Sequence, residues 1–436
     1  MKLKGTNIVI DTAWGDSGKG KFVDVFSHSA DLVIRFNGGA NAGHTVVNDY
    51  GEFKFNLIPT GVFNPNALSI LAGSVAISPL TLVEEISDLS KKGIEVSEKN
   101  LLISQYAHII MPWHIARDTL RETARGDSKV GTTGRGIGPL YADRTERVGV
   151  RMGDMLKDDF EEIVLCELAW QTQLIELMNV NNDETHRKNL AKDKILADFR
   201  AAKEILAPMI GNPLPKIWQA QKEGANILGE GAQGMLLDID LGTYPYVTSS
   251  HPGITGFSIA TGLQQNDVQR VIGVTKAYQT RVGSGPMPTE LTGEIGNKLR
   301  ELGNEYGTTT GRPRRCGWLD LPALRYSLQI GGVNSIALTK IDVLDGMDEI
   351  KVCTHYEYKG TRYETLPTAD AEFMAEAKPI YKIMPKWDLP TKNIKDFANL
   401  PEEAQNYVKY IEESVGVKVE IISNGPAREE VFYRVA

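Results

Sequence analysis

The sequence predicts an α/β protein whose centre is a doubly wound, mostly parallel sheet. Three observations predict it: short apolar strands alternate with helical segments along most of the 436 residues, the first strand runs into a glycine-rich loop, and the second strand does the same. Strands that alternate with helices pair in parallel, and loops at their carboxyl ends are where such sheets bind ligands.

The first strand, its loop and the helix after it form a candidate phosphate site. Residues 8–10 are β-branched, residues 13–21 contain three glycines, one carboxylate and two lysines, and residues 22–26 fit a helix. Loop N–H groups, a helix N-terminus and a lysine together attract a polyphosphate, so we expect a sheet of the P-loop-NTPase-like type. Ala13 replaces the first glycine of the usual signature and Gly20 replaces its magnesium-binding hydroxyl, which makes Asp16 the candidate metal ligand. The alternative is an ordinary glycine-rich turn with solvated lysines.

The second strand, residues 32–36, ends in a loop over residues 37–45 that contains three glycines and His44. Two short apolar strands joined by one helix predict parallel pairing and a right-handed crossover, with both strand ends at one edge of the sheet. We therefore expect His44 to lie near Asp16, although a lone histidine is often structural.

The rest of the chain continues the alternation. Strands are predicted at residues 68–72, 101–104, 226–229, 271–274, 335–338 and 419–423, and helices at 80–92 and 114–125. Apolar residues at helical spacing among many charges predict a helical insertion at about residues 157–210. Residues 350–358 and 363–366, with Gly360 between them, predict a small peripheral β-hairpin.

Two further loops are rich in glycine or arginine. Residues 130–139 combine four glycines, two threonines and Arg135, a set that can hold a second phosphate, with Arg147 downstream as either a ligand or a surface charge. Residues 307–315 hold three arginines, whose planar forks fit a dicarboxylate. An RNA-binding patch is the competing interpretation of this loop, weakened by the absence of interleaved aromatic residues.

The tetrapeptide Thr339-Lys340-Ile341-Asp342 follows an apolar strand. The carboxylate of Asp342 can accept the two adjacent N–H donors of guanine, where adenine presents an acceptor. After a phosphate loop in the same chain, this favours GTP over ATP.

Composition limits the class of partner. The formal net charge of −8 argues against a general nucleic-acid surface, no apolar stretch is long enough for a membrane span, and no signal peptide is visible. The three widely spaced cysteines suggest reduced thiols. We expect a cytoplasmic protein with no nucleic-acid or membrane partner.

Together these motifs resemble the adenylosuccinate synthetase family, which joins IMP and L-aspartate using GTP. The resemblance spans the chain from the first strand to Gly425 as a single domain, residues 1–436. It is carried by residues 14–16, 18–21, 41–45, 131–139, 230–234, 243–250 and 339–342.

The resemblance implies a role for each matching residue. Asp16 would be the base at N1 of the purine and a Mg²⁺ ligand, His44 its acid partner, and Lys19 the group that steadies the transferred phosphoryl; the Gly43 carbonyl would be the second metal ligand. The implied IMP-binding residues are Asn41, Thr132, Thr133, Gln233, Thr248, Arg312 and, from the neighbouring subunit of a homodimer, Arg147. The implied aspartate-binding residues are Thr309, Thr310, Arg312 and Arg314. The implied GTP-binding residues are Gly15, Ser17, Gly18, Gly20, Lys21, Gly43, Thr45, Asn304, Arg314, Lys340, Asp342, Ser423 and Gly425.

Three positions depart from the family pattern. Ser17 stands where glutamate is usual, Arg144 where lysine is usual, and Pro313 where many members have a basic residue. Ser17 lies beside the purine, so an enzyme acting on GMP or dGMP is an alternative, although the Asp16 carboxylate would crowd a 2-amino group. A GTP-binding switch protein without ligase chemistry is the other alternative, but it leaves His44 and the arginine loop unexplained.

Overall fold

A computed structural model describes residues 3–48, 51–126, 129–178, 184–307 and 311–434. Its strands, in chain order, are β1 (Thr6–Asp11), β2 (Leu32–Arg35), β3 (His44–Asn48), β4 (Gly51–Phe55), β5 (Leu68–Leu71), β6 (Ala76–Ile77), β7 (Leu101–Ser104), β8 (His108–Ile109), β9 (Ile210–Gly211), β10 (Ile227–Glu230), β11 (Val268–Lys276), β12 (Gln279–Arg281), β13 (Arg315–Gly317), β14 (Leu319–Asp320), β15 (Ser335–Thr339), β16 (Ile350–Tyr358), β17 (Thr361–Tyr363), β18 (Lys378–Met384), β19 (Val419–Ser423) and β20 (Val431–Tyr433).

The helices are α1 (Lys19–Ser27), α2 (Pro79–Lys91), α3 (Pro112–Ala124), α4 (Ile137–Glu146), α5 (Phe160–Met178), α6 (Glu184–Asn189), α7 (Lys192–Leu206), α8 (Leu214–Lys222), α9 (Ile254–Thr261), α10 (Glu294–Leu302), α11 (Leu321–Gly331), α12 (Ala371–Glu376) and α13 (Glu402–Val415). Among the residues described, no helix combines the length and apolar character needed to cross a membrane.

A ten-stranded sheet forms the centre of the protein, in the order β20-β19-β15-β11-β1-β10-β2-β5-β7-β9. Its pairs are parallel except β19 with β20. All six residues of β1 are buried, because helices cover both faces of a parallel sheet. The predicted α/β class with a mostly parallel sheet is confirmed.

The expected direct pairing of the first two strands is wrong. The strand β10 lies between β1 and β2, with Gly229 opposite Ile8 on one side and Ile34 on the other. This strand, predicted at residues 226–229, comes from almost 200 residues beyond β2, so no local pattern predicts its position in the sheet. The expected edge is nevertheless correct, since all three strands are parallel and their carboxyl ends lie together.

The predicted helical insertion is present as α5, α6 and α7. Val164 and Leu168 of α5 share one hydrophobic cluster with Phe199 and Leu206 of α7 and with Leu101 of β7. The insertion therefore packs on the β7 side of the sheet through the apolar positions that predicted it.

The predicted hairpin is also confirmed, as antiparallel β16 and β17. It belongs to a larger second sheet, because β18 pairs antiparallel with β16 and β14 pairs parallel with it. Strands β14 and β18 were not predicted, since neither shows a clear alternation of apolar and polar residues.

Candidate active site

A cavity of about 460 Å³ lies at the carboxyl ends of β1 and β10. Such an edge is where sheets of this class bind ligands. The lining includes twelve of the residues that the sequence predicted for the site: Gly15, Asp16, Gly18, Lys19, Gly20, Asn41, Gly43, Thr132, Thr133, Gln233, Thr248 and Arg314.

The predicted phosphate loop, residues 13–21, is held in its conformation by a carboxylate that the sequence analysis did not single out. Asp11, fully buried at the end of β1, accepts hydrogen bonds from the N–H groups of Ala13 at 2.9 Å, Gly15 at 3.2 Å and Ser17 at 2.9 Å. In the same loop, Asp16 has a left-handed φ of 61°, and its side chain is exposed in the cavity lining. An acid that directly follows the three apolar residues 8–10 of β1 was the available signal for Asp11.

Lys19 connects this loop to the one that follows β10. Its Nζ donates to the carbonyl of Gln233 at 2.5 Å and lies 3.6 Å from Oδ2 of Asp11. The two loops touch at Gly234, where a Cβ atom would lie 2.2 Å from the carbonyl oxygen of Ala13. Only glycine permits this approach, which brings the phosphate loop against Gln233.

The wall beyond Gln233 is polar. Gln233 Nε2 donates to Oδ1 of Asn41 at 3.3 Å. Thr248 Oγ1 and Trp14 Nε1 are buried in the lining and have no hydrogen-bond partner within the described part of the chain. A buried polar group without a partner is costly unless a ligand or water satisfies it, so these atoms favour a polar ligand here.

Residues 130–138 contribute Thr132 and Thr133 to the cavity, both exposed. The backbone of this loop is used differently from the expectation of a phosphate clasp. The N–H groups of Gly131 and Thr132 donate to Glu122, at 2.9 and 3.3 Å. Although desolvation opposes it, these hydrogen bonds lower the pKa of Glu122. The loop is thus held by a carboxylate of α3.

An arginine bridges two carboxylates at the mouth of the phosphate loop. Arg314 Nε lies 3.0 Å from Oδ2 of Asp16, and its NH1 donates to Oε2 of Glu305 at 2.7 Å. Burial would raise the pKa of Glu305, but Lys276, Lys340 and Arg314 hold it far below its usual value. Glu305 is a second site residue that sequence analysis missed; its place beside Asn304 was the only hint.

A second group of predicted residues gathers around the ends of β15 and β19. Lys21 Nζ donates to Ser423 Oγ at 2.8 Å and to the carbonyls of Gly425 at 2.7 Å and Glu430 at 3.0 Å. Burial lowers the pKa of Lys21 to about 8. Lys21 therefore ties the phosphate-loop helix to the segment that follows β19.

Asp342 lies in the same region. Its Oδ1 is buried and has no hydrogen-bond partner among the residues described, and burial raises the pKa of its carboxyl group. Thr339, at the end of β15, donates to the carbonyl of Ser17 at 2.9 Å, so this region adjoins the phosphate loop. An unsatisfied carboxylate oxygen next to that loop suits a ligand with N–H donors.

The remaining predicted residues are less closely defined. Arg147, Asn304 and Arg312 are exposed, and none of the three is in the cavity lining. Thr309 and Thr310 lie outside the described residues, as do the side chains of His44 and Thr45, whose backbone begins β3. The expected proximity of the Asp16 and His44 side chains stays a prediction.

Comparison with known proteins was consistent across three kinds of match. Residues 8–432 match the family model described as adenylosuccinate synthetase. The chain is 44% identical over 431 residues to adenylosuccinate synthetase of Halothermothrix orenii, covering 99% of both chains. It is 45% identical over 426 residues to that of Caldanaerobacter subterraneus, covering 98% of each.

Solved structures agree. The fully ligated adenylosuccinate synthetase of Plasmodium falciparum superposes with a TM-score of 0.92 at 34% identity, over 99% of this chain and 100% of that one. Succinoaminodeoxyadenylate synthetase of cyanophage S-2L shares the fold, with a TM-score of 0.59 at 17% identity over 100% of this chain and 97% of that one.

Proposed function

The chain belongs to the adenylosuccinate synthetase family, and we propose that the cavity beside the phosphate loop is where it joins L-aspartate to IMP using GTP. The reaction gives adenylosuccinate, GDP and phosphate and is a step of AMP synthesis. The observation that carries this placement is the cavity itself, which brings Asp16, Lys19, Gln233 and Thr248 together from distant parts of the chain.

The first chemical step makes the purine oxygen a leaving group. Asp16 removes the proton from N1, and the electron pair moves to O6. The O6 atom then attacks the γ-phosphorus of GTP, a new O6–P bond forms, the bond from phosphorus to the bridging oxygen breaks, and GDP leaves. The product is 6-phosphoryl-IMP. In this scheme His44 donates a hydrogen bond near O6, as the family resemblance implies.

The second step uses the new leaving group. The amine of L-aspartate attacks C6, the C6–O bond breaks, and inorganic phosphate departs with that bond's electron pair. The amine loses a proton, and N1 of the product carries no hydrogen. Because an amide oxygen leaves poorly, the first step must come before the second.

Charge on the transferred phosphoryl group spreads over its oxygens and needs nearby positive groups. Lys19 lies in the cavity lining, and the N-terminus of α1 begins at the same residue. When GTP binds, Lys19 would exchange its hydrogen bond to the Gln233 carbonyl for one to a phosphoryl oxygen. A charged oxygen is the stronger acceptor for an ammonium group than a neutral carbonyl.

The donors for a magnesium ion fit its chemistry. Asp16 and the carbonyl of Gly43 both belong to the cavity lining, and Mg²⁺ prefers such hard oxygen ligands. We propose that these two residues hold it. When bound, it neutralises charge on the phosphates of GTP. Arg314, whose Nε lies 3.0 Å from Oδ2 of Asp16, holds that carboxylate in place for this role.

Substrate placement follows the lining. Asn41, Thr132, Thr133, Gln233 and Thr248 would surround IMP, and the unpartnered Oγ1 of Thr248 supports this. The guanine of GTP would lie against Asp342, with Lys340, Asn304, Ser423 and Gly425 around it, supported by the unpartnered Oδ1 of Asp342. The arginine loop, with Thr309, Thr310, Arg312 and Arg314, would receive L-aspartate.

We further propose a single-domain chain that works as a homodimer in the cytoplasm. Arg147 is exposed and absent from the described lining of its own cavity, which supports its reaching the IMP phosphate of the neighbouring subunit. None of the three cysteines, all within described segments, forms a disulfide, in keeping with a reducing compartment.

The test is an assay of phosphate release with IMP, GMP or dGMP, with GTP or ATP, and with or without L-aspartate. We expect release only with IMP, GTP and aspartate together. Release with a guanylate in place of IMP would move the substrate assignment to the guanylate alternative, and release without aspartate would support the switch-protein alternative.

A further inference from the structure

Glu305 is a buried carboxylate near the cavity with several charged partners. Its side chain has no exposed surface, and it lies 2.8 Å from Lys276 Nζ, 2.7 Å from Arg314 NH1 and 3.3 Å from Lys340 Nζ. Tyr278 donates its hydroxyl to the same carboxylate at 2.5 Å. Three cations and a phenol therefore share one negative charge in the protein interior.

Two of these partners belong to the site. Arg314 lines the cavity and lies 3.0 Å from Asp16, the proposed base. Lys340 is in the guanine-binding tetrapeptide and also donates to the carbonyl of Gly303. Glu305 thus contacts the phosphoryl-transfer side through one cation and the nucleotide-base side through another.

Backbone hydrogen bonds also connect Glu305 to the arginine loop. The carbonyl of Glu305 accepts from the N–H of Arg314 at 2.9 Å, and the N–H of Gly307 donates to the carbonyl of Arg312 at 2.8 Å. These bonds join the two ends of the arginine loop. Asn304 and Lys340, one on each side of the network, have left-handed φ values of 47° and 57°, which are unfavourable for residues other than glycine. Lys340 is held in place by its ion pair with Glu305, and Asn304 directly precedes Glu305 in the chain.

Lys276 is the third cation of the network, and its hydrogen bonds include none to a predicted substrate-binding residue. Its side chain is 2% exposed, and its other hydrogen bond goes to Thr280 Oγ1 at 2.6 Å. A buried ammonium needs a counterion, so the Lys276–Glu305 pair alone would be a structural feature. The contacts to Arg314 and Lys340 are what extend it to the reaction.

We propose that Glu305 is a positioning residue of the ligase reaction: it acts through Arg314 on the place of Asp16 and through Lys340 on the guanine-binding segment. This inference rests on the proposed function. It assigns Glu305 no contact with substrate.

The first test is Glu305→Gln, which keeps the shape of the side chain and removes its charge. We expect kcat to fall about 10-fold and KM for GTP to rise about 5-fold, with KM for IMP changed less than about 2-fold. The matched control is Glu412→Gln, because Glu412 is also buried and accepts from an arginine, Arg434 at 2.7 Å, and from Val419 N–H at 2.8 Å, but belongs to neither site region. We expect that control to keep kcat and both KM values.

The second test asks whether Glu305 acts through Arg314. In an Arg314→Met background, Glu305→Gln should lower kcat by less than about 2-fold, because the residue that transmits its effect is gone. An equal loss in both backgrounds, or a Glu305→Gln enzyme with kcat within about 2-fold of wild type, overturns the proposal.

Two further arms cover other outcomes. If Glu305→Gln does not fold, the double variant Lys276→Met with Glu305→Gln removes both charges of the buried Lys276–Glu305 pair. This double variant should fold and show the same loss of kcat, and a wild-type kcat would contradict the proposal. If the wild-type enzyme shows no aspartate-dependent turnover, the proposed function fails. The positioning of Lys340 is then read from binding of a fluorescent GDP analogue, which Glu305→Gln should weaken about 5-fold; equal binding by Glu305→Gln, Glu412→Gln and wild type overturns the inference.

Discussion

Replacing Asp16 by asparagine removes the proposed base and the proposed carboxylate ligand of Mg²⁺, with little change in the size of the side chain. The side chain is exposed toward the cavity, a third of its surface is accessible, and its ion pair is with Arg314 at 3.0 Å. An amide has nearly the same size but cannot take the N1 proton of IMP. Arg314 keeps its hydrogen bond to Glu305 at 2.7 Å in the variant, so the guanidinium stays anchored.

The expected loss of turnover follows from the role of a general base. A positioned base contributes about 10²- to 10⁴-fold, so we expect kcat for Asp16→Asn to fall at least about 100-fold. The stability effect is much smaller, because a partly solvated ion pair contributes only about 0–1 kcal/mol. In a protein of this size that amounts to a shift in Tm of about 2 °C or less. Lost activity can then be separated from unfolding.

Aspartate-dependent phosphate release gives kcat, and calorimetric titration gives the affinity for IMP and for GTP. We expect nucleotide affinities to remain within about 5-fold of wild type. The control is Asp154→Asn, since Asp154 also pairs with a cation, Lys157 at 2.7 Å, outside the cavity lining. A turnover within about tenfold of wild type for Asp16→Asn would refute its assignment as base.

Three other predictions concern the nucleotide side and the dimer. The pKa of Lys21 is lowered from 10.5 to about 8 in the folded protein, so its ammonium group loses a proton above pH 8 while the unfolded chain keeps it. KM for GTP should therefore rise with pH in this range without a fall in Tm. A Lys21→Met enzyme with the same pH dependence would contradict this. Asp342→Asn should raise KM for GTP at least about 10-fold and improve use of xanthosine triphosphate, whose base keeps N1–H but has a carbonyl acceptor in place of the 2-amino donor of guanine. Unchanged preference in competition assays would exclude Asp342 as the residue that recognises the base. Arg147→Ala and Asp16→Asn homodimers should both be nearly inactive, but an equimolar mixture should recover about a quarter of wild-type activity after subunit exchange, since about half of its dimers are mixed and each of these has one intact site of two. No recovery would place Arg147 in its own subunit's site.

The sequence by itself was sufficient for the parts of the fold that are local. Parallel strands such as β7 and β19 were predicted with their observed bounds, because a short apolar run between turn residues has few other structures available. The helical insertion and the β16–β17 hairpin were likewise visible in the spacing of their apolar residues. The phosphate loop was identified from glycines and lysines whose spacing reflects the backbone geometry that a polyphosphate needs.

Features that depend on distant residues could not be predicted this way. The insertion of β10 between β1 and β2 places residue 229 beside residues 8 and 34. Asp11 and Glu305 belong to no motif; they matter because folding buries them beside particular N–H groups and cations.

What the sequence determined, then, was the set of side chains available for chemistry at one edge of the sheet: the proposed phosphate loop, the arginine loop and the tetrapeptide proposed to bind guanine. Only the tertiary structure decided how those groups are oriented, placing Arg314 between Asp16 and Glu305 and turning Lys21 toward Ser423. The physical reason is that the energy of a charge depends on its burial and its neighbours, and both are properties of the folded chain, not of the residue type.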